Sequence, residues 1–217
     1  MKSIKAKKVK ESRIPFDWNN EFWSDINSAE LDYHRKENQQ FPEVEVKICH
    51  SENDIILFWL VKEEEIVCNH KNHFDRVYQD SCVEFFVKPN GAKGYFNFEI
   101  NCIGKILCYY VTDWIRNESG TLKGFSRLDL NDINKIQIEN SIEESDTAAD
   151  EWFMLVKIPK SILISNSELS ELDYRKSWRG NFYKCADASS LPHWSSWNPV
   201  TELNFHQPKD FGEIIFE

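Results

Sequence analysis

Tyr78 to Asn101 reads YQDSCVEFFVKPNGAKGYFNFEIN, two strand-like runs joined by a short glycine-bearing loop from Pro89 to Gly94. The first run, Cys82 to Val87, carries the β-branched and aromatic residues that favour strands. Successive side chains of a strand point to opposite faces. Val83, Phe85 and Val87 therefore share one face, and Cys82, Glu84 and Phe86 share the other. The second run alternates more cleanly: Phe96, Phe98 and Ile100 form an apolar set, and Tyr95, Asn97, Glu99 and Asn101 a polar one. The apolar set must face a core. The polar set, with one aromatic, two amides and a carboxylate, suits either hydrogen bonding to hydroxyl groups or a solvated outer face.

Outward from this hairpin, short strand-like runs continue in both directions. Ile55 to Val61, IILFWLV, reads as a strand buried on both faces. Val44 to Ile48, Ile66 to Cys68, Ile133 to Glu143 and Trp152 to Ile158 read as further strands. Pro159 to Leu163 reads as a helical turn with proline near its start, and Phe211 to Phe216 as a final core strand. Ile103-Gly104 suggests a two-residue turn. With that turn, Lys105 to Thr112 returns with Asn101 opposite Ile106, Glu99 opposite Cys108 and Asn97 opposite Tyr110, so Tyr110 joins the polar face. Asp113 to Gly124 reads as loop. No sustained helical periodicity appears. The expected fold is all-β, an antiparallel sandwich of immunoglobulin-like or jelly-roll-like kind with one or two short helical turns, in a single domain over residues 1–217. Residues 1–12, with the basic cluster Lys2 to Lys10, read as a flexible tail.

Composition narrows the function. The 217 residues include eight Trp and fifteen Phe, too aromatic for a disordered chain. The net charge of −10 argues against nucleic acid or an anionic membrane as partner, since both need clustered Lys and Arg. No apolar run approaches a membrane span, and no signal peptide follows Lys8, so a cytoplasmic location is expected, or a secreted or periplasmic one if a leader was removed. The six cysteines contain no CxxC pair and read as buried free thiols of a reducing compartment. The histidines show no metal-binding spacing.

The run Tyr78-Gln79-Asp80-Ser81-Cys82-Val83-Glu84, the strand Tyr95 to Asn101, and a Trp-rich tail closing on Phe211-Gly212-Glu213-Ile214 together resemble the family 9 carbohydrate-binding modules, in particular the divergent stand-alone members of gut Bacteroidetes. The resemblance covers nearly the whole chain. It implies a non-catalytic β-sandwich associated with carbohydrate catabolism, gripping a mono- or oligosaccharide between two aromatic rings. Tyr78 matches the first ring, where family members often have Trp. Glu84, six positions on, matches the carboxylate that accepts from sugar hydroxyls. Asn97, Glu99 and Asn101 fall in the strand that supplies polar contacts, with Tyr110 beside them. Trp197 is the first candidate for the second ring and Trp194 the second. The resemblance implies no required cofactor; structural calcium is common in the family, but no calcium ligand is assignable here.

Three rivals stay open. A glycoside hydrolase would use Glu84 and Glu99 as its carboxyl pair, although the polar face shows no loops that would close a catalytic cleft. A protein-interaction sandwich would bind no small ligand. A haem-binding sandwich would need Met154, which sits on an apolar strand face beside Trp152 and Val156. Trp194 and Trp197 also admit a packing role, Glu84 a solvated one, and Arg179 and Lys184, which flank Asn181, read either as hydroxyl donors or as partners of surface carboxylates.

Overall fold

A computed structural model describes residues 1–10, 14–142 and 149–217. Fourteen strands dominate it: β1 (Ser3–Lys8), β2 (Ser28–Glu30), β3 (Tyr33–His34), β4 (Glu43–His50), β5 (Asp54–Lys62), β6 (Cys82–Lys88), β7 (Tyr95–Asn101), β8 (Ile106–Arg116), β9 (Leu122–Arg127), β10 (Gln137–Asn140), β11 (Glu151–Pro159), β12 (Trp178–Cys185), β13 (Trp194–Ser196) and β14 (Gly212–Phe216). The helices are short, α1 (Leu130–Ile133) and α2 (Lys160–Ser165). The long path runs β10-β11-β5-β4-β1-β14-β12-β6-β7-β8-β9 and does not close.

The strand β1 joins the two layers of the sandwich. Ser3 to Ala6 pair in parallel with β14, whereas Lys7 and Lys8 pair in parallel with β4. A strand that changes partner along its length is how a sheet turns a corner between layers. The basic segment at the N-terminus is thus sheet rather than the flexible tail expected from its lysines. Alternation explains the difference: Ile4 and Ala6 are buried, while Lys5 and Lys7 stay at the surface. Residues 11 and 12 of that expected tail lie outside the described residues.

The inner face of β4, β5 and β11 meets the inner face of β6, β7 and β12 in the main core. Trp59 of β5 meets Phe182 of β12 edge-on, with ring centroids 5.9 Å apart. Val83, Phe85 and Val87 lie in this core with Phe96, Phe98 and Ile100, as their alternation predicts. Each such side chain contributes about 1.5–3 kcal/mol when fully buried. The β5 run is buried on both faces because Trp18, Trp23 and Phe16 of the N-terminal lead-in cover Phe58 on its outer side.

Several local readings are corrected. Ile66 to Cys68 form no strand. The apolar pattern near Ile133 belongs first to α1, capped by Asp129, and the strand there spans only Gln137–Asn140. Residue 143 and most of the acidic stretch after it lie outside the described residues. Residues 113–124, expected as loop, extend β8 to Arg116 and begin β9 at Leu122.

The turn after β7 is longer than two residues. Asn101 N–H donates to Lys105 O, Gly104 N–H donates to Asn101 O, and Gly104 takes φ of 75°. Ile100 therefore pairs with Ile106, Glu99 with Leu107, Asn97 with Tyr109, and Phe96 with Tyr110. A slip of one residue exchanges the faces of a strand. Tyr110 accordingly points into the main core against Phe96, and Tyr109 and Leu107 take the polar side.

Candidate functional site

The outer face of β6, β7 and β12 is a second, concave apolar surface built from Cys82, Phe86, Tyr95, Tyr183 and Cys185. Over it opens a cavity of about 730 Å³. Its floor carries Glu84 and Glu99, direct partners across the β6–β7 ladder, both almost wholly buried. Its walls include Tyr78, from a single 3-10 turn Val77–Gln79, and Trp194 of β13. The β8–β9 hairpin adds Arg116, Leu122 and Phe125, and the segment 203–206 adds Phe205 and His206. The face expected to lack closing loops is therefore walled on two sides.

The walls are held by identifiable bonds. Trp194 donates its indole N–H to Asp187 Oδ1 at 2.7 Å, and its backbone N–H donates to Asn38 Oδ1. The turn bearing Tyr78 is tied to the chain after β12, because Asp187 N–H donates to Tyr78 O and Ala188 N–H to Gln79 O. Phe205 stacks on Tyr183 at 4.1 Å, and the Tyr183 hydroxyl donates to Phe205 O. Burial pulls His206 down to about 3, so at neutral pH the ring is uncharged, and its Nδ1 shares a hydrogen bond with the Tyr95 hydroxyl at 2.6 Å.

The floor is electrostatically unusual. Burial and the neighbouring Glu99 push Glu84 well above the carboxylate range, with the Cys185 thiol donating to its Oε1 at 3.1 Å. Burial lifts Glu99 to about 8, despite the Asn97 side-chain N–H at 2.7 Å on its Oε1. Asp187 is also raised, again by burial. Glu99 Oε2 is buried and has no hydrogen-bond partner among the described residues.

The candidate residues separate accordingly. Tyr78, Glu84, Glu99 and Trp194 line the cavity together. Asn97 lies beneath it, fully buried, aiming Glu99 and accepting from Tyr109 N–H at 2.8 Å. Asn101 is off the cavity: its side chain binds Asp80, His70 O and Lys105 N–H and locks the turn after β7. Tyr110 accepts from Gly94 N–H inside the core. Trp197, the first candidate for the second ring, is buried in the main core against Phe182. Trp194 packs with the outer-face cluster and Trp197, just past the end of β13, with the main core, so the two indoles lie on opposite faces.

Arg179, Asn181 and Lys184 are likewise structural. Arg179 donates to Phe211 O, Asn181 ties β12 to Asn198, and Lys184 points to the interior beside Glu63. Met154 is fully enclosed in the main core, which leaves a haem no approach to its sulfur. All six cysteines are free, and all but the half-buried Cys68 are enclosed as expected. Cavity residues the sequence did not single out are Leu107 and Tyr109, hidden by the register slip, together with Arg116, Asp187 and His206.

Calcium needs six to eight oxygen ligands. Among the described residues, the one cluster of three His, Cys, Asp or Glu ligand atoms is Cys82, Glu84 and Cys185. Two sulfurs and one carboxyl do not suit a hard cation. The buried Asp80 carboxylate, a natural ligand type, is instead filled by Asn69 N–H, His70 and Asn101. Among the described residues, the His, Cys, Asp and Glu side chains form no oxygen-rich cluster of the kind calcium takes.

Residues 17–216 match the family pattern described as carbohydrate-binding family 9. A Bacteroides uniformis protein described only provisionally as carbohydrate-binding is 30% identical over all of this chain and 99% of its own, with a TM-score of 0.80. Two structures of a family 9 carbohydrate-binding module from Caldicellulosiruptor kristjanssonii share the fold. The cellotriose complex is 14% identical over all of this chain and 94% of its own, at a TM-score of 0.64. The glucose complex is 16% identical over all of this chain and 96% of its own, at 0.61. No curated protein matches the chain.

Proposed function

Because this chain belongs to carbohydrate-binding family 9, we propose that its cavity binds a saccharide without turning it over, with Tyr78 and Trp194 as the aromatic walls and Glu84 and Glu99 as the floor. The observation that carries this reading is the convergence of those four side chains on one open cavity. A pyranose offers an apolar C–H face to a ring and a hydroxyl rim to carboxyls, which suits this division of labour.

Two rings that each remove about 100 Å² from water give roughly 5 kcal/mol. Association costs ~4 kcal/mol or more, so stacking alone barely suffices. Polar contacts at the floor supply the remainder, and dissociation constants on the order of micromolar to millimolar follow. Cellotriose and glucose, held by the matched family 9 structures, are the natural first probes. A role in carbohydrate catabolism and a reducing compartment, consistent with six free thiols, complete the proposal.

Hydrolysis is the weaker reading on electrostatic grounds. Glycosidases need one carboxylic acid and one carboxylate, with their acidities driven apart. Here burial drives Glu84 and Glu99 in the same direction. Calorimetry of glucose, xylose and cello-oligosaccharides against wild type, Tyr78→Ala and Trp194→Ala tests the proposal. Saturable binding lost in both variants, with no reducing sugar released, supports it. Binding unchanged in both variants removes the cavity as the site.

A further inference from the structure

The acidic floor lacks the cation that would balance it. Glu84, Glu99 and Asp187 all line the cavity. Among the described residues, no ion pair reaches any of the three. The lining cation, Arg116, sits on the exposed β8–β9 hairpin and spends its Nη1 on Gly120 O at 2.6 Å. His206 is neutral and occupied by Tyr95. Two partners of the floor are weak or neutral donors, the Cys185 thiol on Glu84 and the Asn97 amide on Glu99. Asp187 Oδ1 takes only the indole N–H of Trp194. Glu99 Oε2, on a residue 5% exposed, is left without any partner. A buried carboxyl oxygen without a donor is costly, and its natural complement is a charged N–H group.

Resting on the saccharide reading above, we infer that the cavity is selective for amino sugars, and that the ligand's ammonium group docks on Glu99 and Glu84 between the aromatic walls. A neutral hexose offers those carboxyls hydroxyl groups only. An ammonium offers three charged donors and replaces a proton of the floor, leaving a carboxylate paired with a full positive charge. N-acetylation removes that charge and adds bulk, so N-acetyl sugars lose the advantage.

The groups facing Glu99 set a second signature. They are Asn97 and Tyr95 on its own strand, Cys82 and Glu84 on β6, Tyr109 on β8, Tyr78, Asp187 after β12, and Arg116. Burial holds the proton on Glu99 up to about 8, and none of these groups brings a close positive charge that would offset it. An arriving ammonium ion brings that charge and expels the proton to buffer. Binding of an amino sugar near neutral pH is therefore accompanied by proton release.

The test is calorimetry at pH 6.5 with glucose, glucosamine, 6-amino-6-deoxyglucose and N-acetylglucosamine, run in two buffers of different ionisation enthalpy. Expelling the proton that Glu99 holds up to about 8 opposes binding at pH 6.5, so at least one amino sugar should bind tighter than glucose by a margin that grows when the titration is repeated at pH 7.5. The heat for that sugar should depend on the buffer as proton release requires. In Glu99→Gln the ratio of amino-sugar to glucose affinity should fall toward one. Glucose binding as well as or better than both amino sugars would overturn this inference and leave saccharide binding intact. Absence of binding by all four sugars, and by cellotriose titrated beside them, would sink the saccharide reading itself.

Discussion

Trp194 and Trp197 face opposite sides of the same sheet. The first walls the cavity, and the second is clamped in the main core over Gly212, where an added Cβ would fall 2.4 Å from the indole. The two alanine variants should separate cleanly. Trp194→Ala should fold normally and lose saccharide binding. Trp197→Ala should cost about 3–5 kcal/mol of stability, the range for a buried aromatic, and the folded fraction should still bind. Denaturant melts beside calorimetry distinguish them. Reversed phenotypes would contradict the assignment of Trp194 to the site.

The buried floor carboxyls predict a stability contribution with a definite sign. Glu99 holds its proton to about 8 in the folded state, against 4.5 for an ordinary glutamate. The folded protein thus binds the extra proton, and its contribution is lost as pH rises through about 8. The buried His206, pulled from 6.5 to about 3, has the opposite slope, but only below 6.5. Between pH 6.5 and 8.5 Glu99 therefore pulls the melting temperature of the ligand-free protein down as pH rises, whereas Cys68, drawn down to about 6 by the Cys102 thiol and Lys71, pushes it up. Glu99→Gln, which keeps the acceptor for Asn97, should remove the downward part, so its melting temperature should fall less, or rise more, with pH than that of wild type. The same pH dependence in variant and wild type would be the contrary result.

Tyr110 should prove structural. Its hydroxyl accepts from the buried Gly94 N–H at 2.9 Å, and a Cβ on Gly94 would lie 2.2 Å from Val111 O. Tyr110→Phe leaves a buried donor unpaired and should cost about 1–3 kcal/mol. Gly94→Ala forces backbone apart and should cost at least as much. In Tyr110→Phe, saccharide affinity measured by calorimetry should match wild type. A large loss of affinity at full stability would return Tyr110 to the site.

The two-faced reading of Tyr78 to Asn101 held because period-two alternation is a local property of each strand. Val83, Phe85 and Val87 could only pack inward once the sheet had a partner layer. Tyr110 was misplaced by something alternation does not carry, the length of the connecting turn, and one residue there reverses every side chain after it. Trp197 was preferred over Trp194 although both indoles look alike in sequence; only the face each occupies separates them. Arg116 was hidden because the chain around it, polar and exposed, reads as loop while its backbone completes a hairpin. Asp187 and His206 come to the cavity through contacts spanning scores of residues, for which the sequence holds no local signal.

Lys184 shows the same limit and supports a last prediction. It is wholly buried, with Nζ 2.8 Å from Glu63 Oε2 and 2.7 Å from His193 Nε2, and Trp152 donates to Glu63 Oε1. The Lys184–Glu63 contact is ionic rather than a well-aligned hydrogen bond, since Oε2 has no such bond of its own. Burial alone would raise Glu63, but the Lys184 charge and the adjacent His193 ring outweigh it and hold the carboxyl at about 2. Stability from Glu63 is thus present above 4.5 and is lost as pH falls through about 2. Lys184→Met strands the carboxylate and should cost about 3–5 kcal/mol, whereas removing the charge too restores much of it. The double variant Lys184→Met with Glu63→Gln, which keeps an acceptor for Trp152, should therefore be more stable than Lys184→Met alone in denaturant melts at pH 7. If the second change only adds to the loss, the two side chains are not energetically coupled, and the triad does not hold the layers together as its geometry indicates.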